Sequence, residues 1–239
     1  KAKQIWQLLD YVAVDYGGAV ANGAVLKASE YAEMQEFSAT AERQLGELPD
    51  QTDKGRLLQQ ATALRAAVAA KADPASVAKL AHALSSAVQK AYPFPVAPTA
   101  MPVLAKGGQL FQAQCAACHG QQGRGDGPLA ASLNPKPTAL ADHMRARERS
   151  LFALHQIISN GVQGTAMQGF GALSDEDRWA LAFFVGTLPY TQSDKDEGAK
   201  LWQANAQVRQ TLASLDVLTQ TSEHVLADRL DGVVSENGK

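Results

Sequence analysis

The sequence predicts an all-α protein: an N-terminal helical bundle, a second compact helical domain, and a long C-terminal helix packing back on the bundle. Three observations lead there. Apolar residues recur at helical spacing through most of the 239 residues, the pattern of amphipathic helices. Ala, the strongest helix former, is abundant, and no strand pattern of useful length occurs. Four prolines crowd into Tyr92–Pro102 (Pro93, Pro95, Pro98 and Pro102). Such a run disfavours helix and reads as an extended, semi-rigid linker.

The elements follow in order. Ile5, Leu8, Leu9 and Val12 mark a first helix, which Gly17-Gly18 interrupts. A second helix runs past Gly23 and through Ala28 to Leu48, where Pro49-Asp50 ends it. Leu57, Leu58, Leu64 and Val68 share one side of a third. Asp73-Pro74 restarts the chain, an acidic N-cap with Pro at the first helical position. The fourth helix runs to about Ala91. Short connections between four helices imply an up-and-down bundle. Beyond the linker, a helix over Ala105–Gln114 leads into both cysteines. A Gly- and Pro-rich loop covers Gly120–Pro137, and Ser150 caps a helix with Leu151, Leu154, Ile157 and Ile158. Gly161, Gly164, Gly169 and Gly171 mark a further loop. Ser174-Asp-Glu-Asp177 has capping-box form and opens an apolar helix that Pro189 stops. Ser193-Asp194 starts the last helix, with Leu201, Val208, Leu212, Leu215 and Leu218. The resulting parts are 1–92, a linker 93–102, 103–190 and 191–239.

Composition excludes several classes. Hydrophobic residues at 46% and charged residues at 19% suit a globular chain. A net charge of -2 gives no reason to expect a nucleic-acid partner. The longest strongly apolar stretch, Trp179 to Leu188, is far short of the ~20 residues of a membrane helix. With a polar C-terminal tail and no signal peptide at Lys1, the chain reads as a mature or excised piece of something longer. Two cysteines rule out a disulfide scaffold and a four-Cys zinc site.

Those two cysteines lie in Cys115-Ala-Ala-Cys118-His119. C-x-x-C-H is the attachment motif of c-type haem. Each thiol adds to one porphyrin vinyl, and the following His is held against the iron as proximal ligand. A redox dithiol normally opens a helix in a βαβ setting, which is absent here. Four downstream residues compete for the other axial position: His143, Met144, His155 and Met167. Met167 is favoured because its Gly-rich loop lets backbone approach a haem closely. His143 and Met144 lead into Arg145, Arg147 and Arg149, and His155 lies on an apolar helix where a packed histidine is commoner. The arginines read either as a solvated charge run or as a patch that steers an acidic redox partner.

Residues 103–188 resemble class I cytochrome c. Gly107 and Phe111 precede Cys115 as a Gly and an aromatic do in that family, where they pack the first helix on the last. The resemblance implies Trp179 and Phe183 as their partners. Gly123-Arg-Gly-Asp-Gly-Pro128 resembles the loop of bacterial members. Leu133-Asn-Pro-Lys-Pro137 resembles the segment whose proline carbonyl, Pro135 or Pro137 here, accepts a hydrogen bond from the proximal His. His/Met ligation raises the reduction potential and leaves no open iron site. An electron carrier rather than an enzyme is therefore expected. Haem c implies a periplasmic location.

The flanks resemble the extracytoplasmic region of bacterial Ftr-type iron permeases that carry a cytochrome c domain. The carrying residues are Leu9-Asp-Tyr-Val-Ala-Val-Asp-Tyr-Gly-Gly-Ala-Val20, Glu30-Tyr-Ala-Glu-Met-Gln-Glu-Phe-Ser38 and Leu201-Trp-Gln-Ala-Asn-Ala-Gln-Val-Arg-Gln210. The family's Arg-Glu-x-x-Glu iron motif does not occur in this chain. The resemblance implies a membrane iron permease domain or subunit as partner, and electrons accepted from Fe(II) during iron uptake. Glu30, Glu33 and Glu36 recur at i, i+3 and i+6, with Asp10 and Asp15 nearby in sequence. Such hard oxygen donors suit iron. This gives either a non-haem iron site, with Asp15, Glu30 and Glu33 as ligands, or a solvated acidic face. A respiratory electron-transfer subunit and a haem-based sensor are the competing functions.

Overall fold

The computed structural model describes residues 1–227 and Leu230. It divides into two compact units, Lys1–Pro95 and Val96–Lys239.

The first unit is a four-helix bundle: α1 (Ala2–Ala19), α2 (Ala28–Gly46), α3 (Lys54–Ala69) and α4 (Pro74–Ala91). α1 packs on α4 and α2, and α3 joins α2 to α4. Ile5, Leu9, Val12, Tyr16 and Ala19 bury one stripe of α1 against Met34, Leu45, Leu57, Leu64, Val77, Leu84 and Val88. Each fully buried Leu or Val contributes about 1.5–3 kcal/mol. Asp73 caps α4 by accepting from the Ser76 amide at 3.2 Å. Three phenols tie distant parts of the bundle together: Tyr16 donates to the Ala72 carbonyl (3.1 Å), Tyr31 of α2 to Val68 of α3 (3.1 Å) and Tyr92 to Pro49 (2.7 Å).

Two expectations fail in this unit. α1 continues through Gly17-Gly18 to Ala19, because packing on α2 and α4 outweighs the roughly 1 kcal/mol helix penalty of each glycine. α2 begins at Ala28 rather than before it. Val20–Ala21 (β1) instead pairs antiparallel with Ala24–Val25 (β2). The turn is Asn22-Gly23, with φ of 51° and 74°, a combination that Asn-Gly adopts readily.

The second unit contains α5 (Leu104–Gln114), α6 (Ala116–His119), a 3-10 turn at Ala130–Ser132, α7 (His143–Ala146), α8 (Leu151–Asn160) and α9 (Asp175–Gly186). α5 packs closely on α9. A Cβ at Gly107 would lie 2.7 Å from the Ala180 carbonyl carbon and 2.8 Å from the Phe184 Cβ. Phe111 is fully buried, its ring 5.4 Å from that of Phe184. The partners on α9 are thus Ala180 and Phe184, each one residue beyond the implied Trp179 and Phe183. One residue rotates the contact by about 100° around the helix, and Trp179 turns instead to α8.

The tail is α10 (Gln192–Ala204), α11 (Ala206–Thr211) and α12 (Leu215–Gln220), not one long helix. Asn205 leaves helical geometry and its side chain accepts from the Gln207 and Val208 amides. Ser214 does the same for the Val217 amide. Each such cap starts a new helix and so ends the previous one. Within the second unit, α12 packs on α8. Among the described residues no helix is long and apolar enough to cross a membrane.

Candidate functional site

The Cys-x-x-Cys-His motif forms the short helix α6, which follows α5 after one residue, Cys115. The backbone carbonyls at its end have no continuing helix to bond, so a loop supplies amides. Gly125 donates to the His119 carbonyl (2.8 Å), Gly127 to Cys118 (3.2 Å) and Leu129 to Ala117 (2.9 Å). The Gly-rich segment after the motif is therefore a cradle fitted to α6.

Cys115 and Cys118 are free thiols, both half-buried. Burial, and secondarily Cys118, pushes the Cys115 thiol up to about 11. His119 is half-buried, and its Nδ1 lies 3.0 Å from the Thr138 carbonyl. A carbonyl only accepts, so Nδ1 carries the proton and Nε2 keeps its lone pair for a metal. This corrects the expectation of a proline acceptor: the carbonyl is that of Thr138, directly after Pro137. A backbone acceptor leaves no side-chain signature, and only the segment was legible.

Met167 lies in the loop between α8 and α9, half-buried. Its carbonyl accepts from the Val162 amide (2.9 Å) and its amide donates to Thr165 Oγ1 (3.1 Å). Gly161 and Gln168 bridge antiparallel across the loop base. Gly161 has φ +72°, and a Cβ there would meet the Met167 carbonyl at 2.5 Å. The loop thus closes tightly around the residue that displays the thioether.

The three other axial candidates have different surroundings. Met144 is 69% exposed. His143 pairs with Glu223 at 3.2 Å and meets the Tyr190 ring edge-on. His155 is 2% exposed, stacked on Trp179 with ring centroids 4.1 Å apart, and bonded on both nitrogens to Asp175 and Gln156. Arg147 and Arg149 are half-buried rather than a fully solvated run, and Arg147 lies 3.9 Å from Glu148.

The donor set fits a c-type haem. It offers two unbonded thiols three positions apart, an imidazole with its outer nitrogen committed, and a loop-held thioether. These are the soft and borderline donors that haem iron and its vinyl groups require.

The acidic residues of the bundle are gathered electrostatically but not as a closed metal site. Burial first, then Glu30, Asp15 and Glu36, raises the Glu33 carboxyl above its ordinary value. Glu30 is held by Lys27 at 2.9 Å, and Asp10 is 8% exposed within α1. Among the described residues no group of three or more His, Cys, Asp or Glu side chains converges to hold a metal ion.

Residues 1–95 match the family described as "iron permease-associated 4-helix bundle domain". Residues 102–185 match "cytochrome C oxidase, cbb3-type, subunit III". Among curated proteins none matches significantly. Among solved structures, a chain of the reducing HAO-like protein complex of Kuenenia stuttgartiensis is similar at 27% identity and a TM-score of 0.36. That similarity covers 49% of this chain and 60% of the other.

Proposed function

The chain joins an iron permease-associated four-helix bundle domain to a cytochrome c domain of the cbb3 type, and on that premise we propose that it carries single electrons on one covalently attached haem in the service of iron uptake. The observation that carries this reading is Cys115-Ala-Ala-Cys118-His119 on α6, with the imidazole tautomer set by Thr138, inside a domain whose family binds haem c. Cys115 and Cys118 would hold the group through thioethers, and His119 Nε2 and Met167 Sδ would hold its iron. Bound haem supplies a one-electron Fe(III)/Fe(II) couple. Thr138 orients His119. Met167, a soft thioether, would favour the ferrous state and keep exogenous ligands out.

The same reading makes Fe(II) the electron donor, a membrane iron permease domain or subunit the partner, and a further redox protein the acceptor. It places the chain outside the cytoplasm, where haem c is attached. The gathered carboxylates of Asp15, Glu30, Glu33 and Glu36 support a ferrous ion arriving at the bundle face. Anaerobic addition of Fe(II) to oxidised holoprotein tests it. Haem reduction in proportion to added Fe(II), with Fe(III) as product, is the expected result. Reduction no faster than that of a cytochrome lacking the bundle refutes the donor assignment.

A second reading is favoured by the match to an oxidase subunit: an electron carrier for a respiratory oxidase or dehydrogenase. It predicts rapid exchange with respiratory partners and no response to Fe(II).

A further inference from the structure

The loop that displays Met167 hangs between α8 and α9, and one hydrogen-bonded chain ties its supports together. His155, midway along α8, is almost wholly buried and lies flat on Trp179 of α9. Its Nε2 is 3.2 Å from Asp175 Oδ1. A carboxylate accepts, so Nε2 carries the proton. Nδ1 then accepts from the Gln156 side-chain Nε2 at 3.1 Å. The same Asp175 Oδ1 accepts from Arg178 Nη2 at 2.9 Å. Arg178 Nη1 in turn donates to the carbonyls of Gly171 (3.2 Å) and Leu173 (2.8 Å). Those carbonyls belong to the strip of chain that returns from Met167 to the start of α9. On the α8 side, the Phe170 amide donates to the Ile158 carbonyl at 2.8 Å.

We propose that His155, Asp175 and Arg178 form a positioning clamp that determines how long Met167 stays on the haem iron. The inference rests on the reading of Met167 as axial ligand. Three features support it. The chain of bonds is continuous from α8 through the first turn of α9 to the exit of the loop. Each link from His155 through Asp175 and Arg178 to the two carbonyls has an ionised donor or acceptor, which makes the stronger hydrogen bonds. Both carbonyls that Arg178 holds lie on the short segment that leads from Met167 into α9. A carbonyl that loses Arg178 leaves the exit strand free to lift, and Met167 lifts with it. His155 and Arg178 are positioning residues here, since neither touches the haem ligands.

The test uses oxidised holoprotein with cyanide as probe. Cyanide enters a His/Met haem only when the methionine leaves, so its binding rate reports the open population. Arg178→Gln and Asp175→Asn are each expected to raise that rate at least tenfold, and Arg178→Lys to raise it less. His155→Gln, which keeps a neutral donor towards Asp175, is the milder variant should either of the others fold poorly. Exchange of the Val162 and Phe170 amides with deuterium should quicken in the apoprotein as well. Cyanide rates and amide exchange within twofold of the parent, even with a lowered melting temperature, overturn the clamp and assign these residues to stability alone. Met167→Ala separates the two claims. If it leaves the ferric spectrum and the cyanide rate unchanged, Met167 is not the ligand, and the clamp falls with that reading. If it opens the haem while the clamp variants do not, the ligand stands and the clamp is overturned.

Discussion

Gly107→Ala places a methyl group where α5 crosses α9. The new Cβ would lie 2.7 Å from the Ala180 carbonyl carbon and 2.8 Å from the Phe184 Cβ, and closer still to the Ala180 oxygen. Comfortable carbon contacts begin near about 3.5 Å. The obstacle is backbone, so no rotamer change relieves it; the helices must part by roughly 1 Å. Overpacking of this kind costs about 1–3 kcal/mol, and separation also loosens Phe111 from Phe184. Against this, Ala gains about 1 kcal/mol of helix propensity over Gly. The net loss is about 1 kcal/mol. For a unit of this size that lowers Tm by about 4 °C. Thermal unfolding followed at the haem Soret band reads the second unit alone. Gly198→Ala on α10 is the contrasting case, since nothing lies within 4 Å of its Cβ position. It should be neutral or stabilising by up to about 1 kcal/mol. A Gly107→Ala protein as stable as its parent would refute the claim that α5 and α9 meet backbone to backbone.

Other predictions concern chemistry nearer the ends of the argument. In the apoprotein with Cys118→Ser, iodoacetamide should label Cys115 well below the rate of an ordinary exposed thiol at pH 8. The reason is burial, which pushes its thiol up to about 11 in the parent and so thins the reactive thiolate; mass spectrometry showing equal rates would dismiss that burial. Glu33 has a raised carboxyl, so the folded chain holds that proton more tightly than the unfolded one. Stability is then lost as pH rises through the folded value. Glu33→Gln should stabilise the bundle at neutral pH by a few tenths of a kcal/mol, about what a mostly exposed group is worth. The gain should vanish below about pH 4, as measured by urea unfolding at two pH values. Asp73→Ala removes the acceptor of the Ser76 amide and should cost the bundle about 1 kcal/mol. A urea midpoint unchanged by that substitution would show the cap to be dispensable.

The helices of the bundle were legible because burial imposes a helical period on Ile5, Leu9 and Val12 and on Leu57, Leu64 and Val68. Caps made of side chains were legible too: Asp73, Ser150 and Ser174 each accept an amide at a helix start. The haem motif was legible because its chemistry fixes the residue types at fixed spacing. What escaped depends on neighbours distant in sequence. Nothing local in Gly17-Gly18 announces that α1 continues, since the stabilisation comes from α2 and α4. The Asn22-Gly23 turn is a hairpin signal, yet strands of two residues carry no alternation to accompany it. Whether Phe183 or its neighbour Phe184 meets Phe111 turns on a rotation of α9 that only packing decides. The acceptor for His119 is a backbone carbonyl, which every residue owns. The broken tail shows the opposite case, because Asn205 and Ser214 were visible as capping types and were overridden by the longer apolar period.

The meeting of α5 with α9 also fixes a schedule for biogenesis. The two helices bracket α6 and the Met167 loop, and the contact between Gly107 and Ala180 cannot form until α9 has been made. A chain emerging from its N-terminus presents Cys115 and Cys118 long before that closure. A closure across so long a separation carries an entropic cost that local helices do not meet. The thiols therefore leave synthesis before that closure and before the packing that half-covers them is complete. On the proposed reading, a haem joined to Cys115 and Cys118 in that order of events would meet an open chain rather than the finished fold.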